Sequence, residues 1–127
     1  WRTQPGTAPR MRELTQSFNL MWFAAQANNW DFAGFEIYRA GEEIKANIVT
    51  RPGRAQALNE WAEPNLAALS SAAKAKDRVA FEKAYDNAIA GCNACHGISQ
   101  GGGFPIKAIK VTRPTAPLFP NLDYKGQ

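Results

Sequence analysis

The sequence is poor in the side chains that build metal and thiol chemistry. Its 127 residues include one histidine, two cysteines and two methionines. A structural zinc site takes four ligands, mostly thiolate and imidazole, so zinc here would have to borrow carboxylates. No stretch approaches the roughly 18 consecutive apolar residues of a membrane-spanning helix. No internal repeat or low-complexity tract stands out. Strand-like alternation is weak before residue 104, which argues against a β or α/β domain. The length suits one domain, too short for a two-domain enzyme yet long enough for one core. Acids are missing from residues 1–12, which hold Arg2, Arg10 and Arg12. Residues 97–127 add another local charge of +3, and the stretch between carries −2, so the net +4 sits at the two ends.

What is present is concentrated. Both cysteines and the histidine fall in Cys92-Asn93-Ala94-Cys95-His96. This is C-x-x-C-H, the attachment signature of a c-type haem. Two thiols add across the two porphyrin vinyl groups. On a helix Cys92 and His96 are four apart and Cys95 is three from Cys92, so one face presents both tethers and the axial imidazole. A redox dithiol of thioredoxin type would want a strand before the motif, and Phe81 to Gly91 reads as helix. One covalent haem c, held through Cys92 and Cys95 with His96 on the iron, is therefore expected. With one histidine, the sixth position falls to Met, another group, water, or nothing.

Apolar spacing predicts four helices. Met11, Leu14, Phe18, Met21, Trp22 and Ala25 mark the first, from Pro9 with Thr7 as cap to a break at Asn28-Asn29. Trp30, Ala33, Ile37, Ala40, Ile44 and Ile48 mark a second, Trp30 to Val49, ended by Arg51-Pro52-Gly53. Leu58, Trp61, Ala62, Leu66, Leu69 and Ala73 mark a third, Arg54 to Lys76, in which Pro64 should kink the helix or start a new one near Glu63. Phe81, Tyr85, Ala88, Ile89 and Cys92 mark a fourth, Asp77 to His96. Such lengths and short links predict an all-α, antiparallel up-down-up-down four-helix bundle over residues 9–96. Residues 97–127 are rich in Gly and Pro yet apolar, which predicts an extended segment packed near the haem rather than a disordered tail. The whole, 1–127, reads as a single domain. Trp22, Trp30 and Trp61 lie at core spacing, and Glu42, Glu43, Glu60 and Glu63 form no acid/base arrangement.

A helical bundle with C-x-x-C-H near the end of its fourth helix resembles the class II c-type cytochromes, which include cytochrome c′ and the cytochrome c-556 type. The resemblance is carried by Phe81-Glu82-Lys83-Ala84-Tyr85-Asp86-Asn87 leading into the motif, with Ile44-Lys45-Ala46-Asn47 as a weaker echo. Class II chains usually end a few residues after the haem histidine, whereas 31 residues follow here. Trp22-Phe23-Ala24, Asn28-Asn29-Trp30 and Arg113-Pro114-Thr115-Ala116-Pro117 are similar to a branch of small exported monohaem cytochromes. The resemblance implies a distal face lined by the first helix. Counting back along an antiparallel pair puts Met11 near the level of His96 and Met21 about 18 Å away at 1.5 Å per residue. Met11 is the better sixth ligand; Met21, or an open distal pocket walled by Leu14 and Phe18, are the alternatives.

The leading expectation is an exported carrier of single electrons with His96/Met11 ligation. A five-coordinate, cytochrome c′-like binder of NO or CO is the alternative, as is a haem subunit of a larger complex or a dimer. A peroxidase would want a distal acid/base group, normally histidine, and none remains. Haem c is attached outside the cytoplasm, so the chain should be periplasmic or otherwise extracytoplasmic; it starts at Trp1 without a leader and reads as a mature product. Arg10, Arg12, Lys107, Lys110 and Arg113 should gather at the haem end, one or two of them pairing with propionates. That positive end would steer the protein to acidic redox partners. Nucleic acid is not needed to explain the basic charge.

Overall fold

The computed structural model describes the backbone of residues 7–50, 53, 55–98 and 110–118, with side chains over 11–49, 53, 55–94 and 110–118. Four helices appear: α1 (Thr7–Gln26), α2 (Trp30–Thr50), α3 (Ala55–Ala75) and α4 (Arg78–Ile98). Among the described residues there is no strand, and all their regular structure is helical. None of these helices is long and apolar enough to cross a membrane. α1 packs on α2, α2 on α3 and α3 on α4, as a four-helix bundle; α1 and α4 meet only slightly.

Two links share one construction. Asn28 and Lys76 have φ of 60° and 54°. Asn28 N–H donates to Ala25 O and Asn29 N–H to Ala24 O. Lys76 N–H and Asp77 N–H repeat the pattern on Ala73 O and Ala72 O. Each is a left-handed helix stop that satisfies the last carbonyls. The next residue then starts the following helix: Asn29 Oδ1 accepts from Phe32 N–H and Asp77 Oδ1 from Ala80 N–H. These caps fix α2 and α4 to the residues where the sequence pattern starts them.

α3 runs unbroken from Ala55 to Ala75 with Pro64 inside it, so no new helix starts near Glu63. Pro64 and Glu60, whose carbonyl lacks its amide partner, are both exposed. Next to Pro64 the Asn65 side-chain amide donates to Trp61 O at 2.7 Å.

The core joins Leu14, Phe18, Met21 and Trp22 of α1 to Ile37 and Ile44 of α2, Leu58 and Leu69 of α3, and Phe81 and Tyr85 of α4. Rings tie it together: Trp30 meets Phe81 edge-on at 5.8 Å, and Phe18 meets Trp61 at 5.8 Å. Such contacts contribute beyond the area they bury. The expectation that Trp22, Trp30 and Trp61 pack into the core holds for their positions here. One acid is buried with them. Glu36 is 3% exposed. Burial lifts its carboxyl above the usual range, while Arg39 and a hydrogen bond from Ser17 pull it back.

Candidate functional site

The C-x-x-C-H run lies on the last turns of α4. Phe81, Ala84, Tyr85 and Ala88 form the buried stripe of this helix. Cys92 follows Ala88 by four residues, and positions 95 and 96 follow by three and four more. Helical backbone continues to Ile98, so positions 92, 95 and 96 continue the three- and four-residue spacing of that stripe beyond Ala88. Cys92 is half-buried. The side chains of Cys95 and His96 lie outside the described residues.

Tyr85 joins this stripe to α1. Its hydroxyl donates to Phe18 O at 2.9 Å. Its ring lies 5.4 Å from Phe18 and 4.9 Å from Trp22. Burial pushes its hydroxyl far above the ordinary tyrosine value, and Cys92 and Asp86 push the same way. It remains a neutral donor in a dry setting. Met11, Leu14, Phe18 and Trp22 recur at three- and four-residue spacing, so they share the α1 face whose lower end touches Tyr85. Leu14 and Phe18 are buried, and Met11 is half-buried against the same core. Met21, by contrast, is 0% exposed within the core.

The slight α1–α4 seam is crossed by residues 110–118, which are neither helix nor strand. Asn93, between the two cysteines, holds Val111 by both backbone groups: Asn93 Nδ2 donates to Val111 O at 2.9 Å, and Val111 N–H donates to Asn93 Oδ1 at 2.7 Å. Arg113 binds Asp86 through two bonds, Nε to Oδ1 at 2.8 Å and an Nη to Oδ2 at 2.7 Å. It also stands 4.0 Å from Glu82 Oε1 and 4.8 Å above the Trp22 ring. Asn19 of α1 repeats the amide clamp, donating to Ala116 O and accepting from Leu118 N–H. Arg113 holds the Asp86 carboxyl below its usual range.

Of the basic residues expected at the haem end, Arg113 bonds Asp86 and stands near Glu82. Arg12 and Lys110 are exposed. Lys107 and the Arg10 side chain lie outside the described residues.

A close approach supports the motif from behind. Gly91 lies where an added Cβ would stand 2.7 Å from Trp61 Cδ1 and 3.0 Å from its Nε1. The indole edge uses this gap, with Nε1 donating to Ala88 O at 3.1 Å. A glycine inside a helical run is the sequence signal for such an approach. Asn19 and Asn93 gave no signal, since a half-buried amide on a helix flank fits no pattern.

Among the described residues no three His, Cys, Asp or Glu side chains gather to hold a metal ion. A shallow cleft of about 330 Å³ lies near the α3–α4 turn, between Ala68, Ser71, Ala75, Ala80, Lys83 and Asn87, remote from Cys92 along α4. Comparison with protein-family models, curated proteins and solved structures finds no match to this chain.

Proposed function

We propose that this protein is an exported monohaem c-type cytochrome that carries single electrons. The observation that carries this reading is the Cys92-Asn93-Ala94-Cys95-His96 run on the final turns of α4, in line with its buried stripe. The donor set fits the group: two thiols three residues apart for the tethers, and an imidazole one residue on for the iron. When bound, the haem supplies a one-electron iron couple. Cys92 and Cys95 would hold it, His96 would ligate the iron, and Met11 would supply the second protein ligand. Leu14 and Phe18 line the apolar wall on α1 that keeps water from the iron.

The wider arrangement supports this assignment. Gln26 bonds Glu82, and Trp22 meets Tyr85: falling numbers on α1 meet rising numbers on α4. The pairs agree with an up-down-up-down bundle. Extended by helical rise, this register brings the Met11 level to the turn of α4 that carries the motif. The Asn93–Val111 bonds agree with a C-terminal segment packed beside the haem. Arg12 and Lys110 at that end would meet acidic redox partners outside the cytoplasm.

The test is expression in a host whose export and haem-attachment machinery is active. The purified chain should gain the mass of one haem under denaturing conditions. Its oxidised spectrum should show the weak sulfur-to-iron charge-transfer band of a thioether ligand. A chain without covalent haem sinks the proposal. A haem-loaded chain that is high-spin and takes CO readily replaces the carrier with a gas-binding protein.

A further inference from the structure

The segment 110–118 is held at three levels by side chains that gain nothing else from it. Glu82, Asp86, Ile89 and Asn93 recur at four- and three-residue spacing, and so form one flank of α4 beside its core stripe. The segment starts at Asn93, is fixed to Asp86 by Arg113, and ends on Asn19 of α1. It therefore crosses from the motif end of α4 to the middle of α1, over the seam where the two backbones stand apart and Tyr85, Phe18 and Trp22 fill the space between them. Arg113 bridges that seam by itself, with Trp22 of α1 beneath its guanidinium and Asp86 of α4 on its edge. Several of these side chains are exposed, so the clamp is built to open: its bonds compete with water.

We propose that residues 110–118 form a strap that gates small-molecule access to the motif through the α1–α4 seam. Closed, it screens the Cys92 thiol in the haem-free chain and, resting on the function proposed above, the iron in the loaded one. Asn19 and Asp86 are its outer anchors, and neither belongs to the haem-binding set.

The experiment unties those anchors in the full-length chain with Asn19→Ala and Asp86→Ala together. In a haem-free Cys95→Ser background, alkylation of Cys92 by iodoacetamide should accelerate by about tenfold or more, as expected when a local opening loses several anchoring bonds. Trypsin should cut faster after Lys110, and helical circular dichroism should stay unchanged. In the haem-loaded chain, binding of imidazole to the oxidised iron should accelerate in the same variant. Faster cutting with unchanged alkylation and unchanged imidazole binding overturns the gate, because the strap would then be open with no effect on access. Unchanged cutting overturns it as well, because the anchors would not hold the strap. Should the chain carry no haem, the haem reading fails and the alkylation arm alone decides the gate. Should the haem-free chain lose its helices, the imidazole arm decides.

Discussion

Gly91 and Trp61 are fitted to each other: the α4 backbone leaves out a side chain where the α3 indole edge lies, and a Cβ there would stand 2.7 Å from Cδ1. The indole cannot easily retreat. Its Nε1 is bonded to Ala88 O, and its ring touches Phe18. Glycine to alanine inside a helix ordinarily stabilises by about 1 kcal/mol. At Gly91 overpacking reverses the sign, and Gly91→Ala should cost about 1–3 kcal/mol. Gly34 on α2 has nothing within 4 Å of an added Cβ, so Gly34→Ala should stabilise by about 0.5–1 kcal/mol. Urea denaturation of both variants checks the opposite signs.

Glu36 makes stability depend on pH in an unusual direction for a carboxylate. Burial is the main cause of its raised pKa, opposed by Arg39 and Ser17. Between the ordinary glutamate value, about 4.3, and the raised folded value, the unfolded chain binds fewer protons than the folded one. This group's contribution to stability therefore falls as pH rises through that window. Glu36→Gln keeps an acceptor for the Ser17 hydroxyl and removes the buried charge. It should stabilise at pH 7 by about 0.5–2 kcal/mol, the scale of a changed buried polar group. The gain should shrink toward pH 4. Thermal melts of both proteins across that range would refute the idea if the difference were flat.

Lys76 occupies the left-handed stop between α3 and α4 with φ of 54°. Asn28 fills the matching stop between α1 and α2, and asparagine tolerates that region better than lysine does. Lys76→Gly should raise stability by about 1 kcal/mol, since the strain of a Cβ in this conformation disappears. Calorimetry should show a higher Tm for Lys76→Gly and a drop for Lys76→Val.

The four helices were legible because their apolar spacing and their stops agree. Asn28-Asn29 and Lys76-Asp77 read as breaks, and both become capped turns. Of the two outcomes open at Pro64, a new helix start is excluded, since α3 continues through it on an exposed face. The C-x-x-C-H run was legible as a motif of two residue types, Cys and His, at fixed spacing. The strap's anchors were not: Asn19 and Asn93 bond distant backbone groups of 110–118, and Asp86 bonds the Arg113 guanidinium. The pairing of Arg113 with Asp86 and Glu82 left no sequence signal, because these carboxylates lie 27 residues or more away. Long-range pairing of polar groups leaves no period to detect.

The two methionines should separate ligation from packing. Met21 is 0% exposed, so Met21→Ala opens a cavity and should cost about 2–5 kcal/mol. Met11 is half-buried at the edge of the core, and its truncation removes less packing. Its role under the proposed function is chemical, as the sulfur that completes the iron's ligands and favours the ferrous state. Met11→Ala in the haem-loaded protein should therefore abolish the charge-transfer band and lower the reduction potential, with a small change in the denaturation midpoint. Met21→Ala should lower the midpoint strongly and leave the band in place. The opposite pattern, a lost band in Met21→Ala with the band kept in Met11→Ala, would move the distal ligand to Met21 and contradict the register drawn from the Trp22–Tyr85 and Gln26–Glu82 pairs.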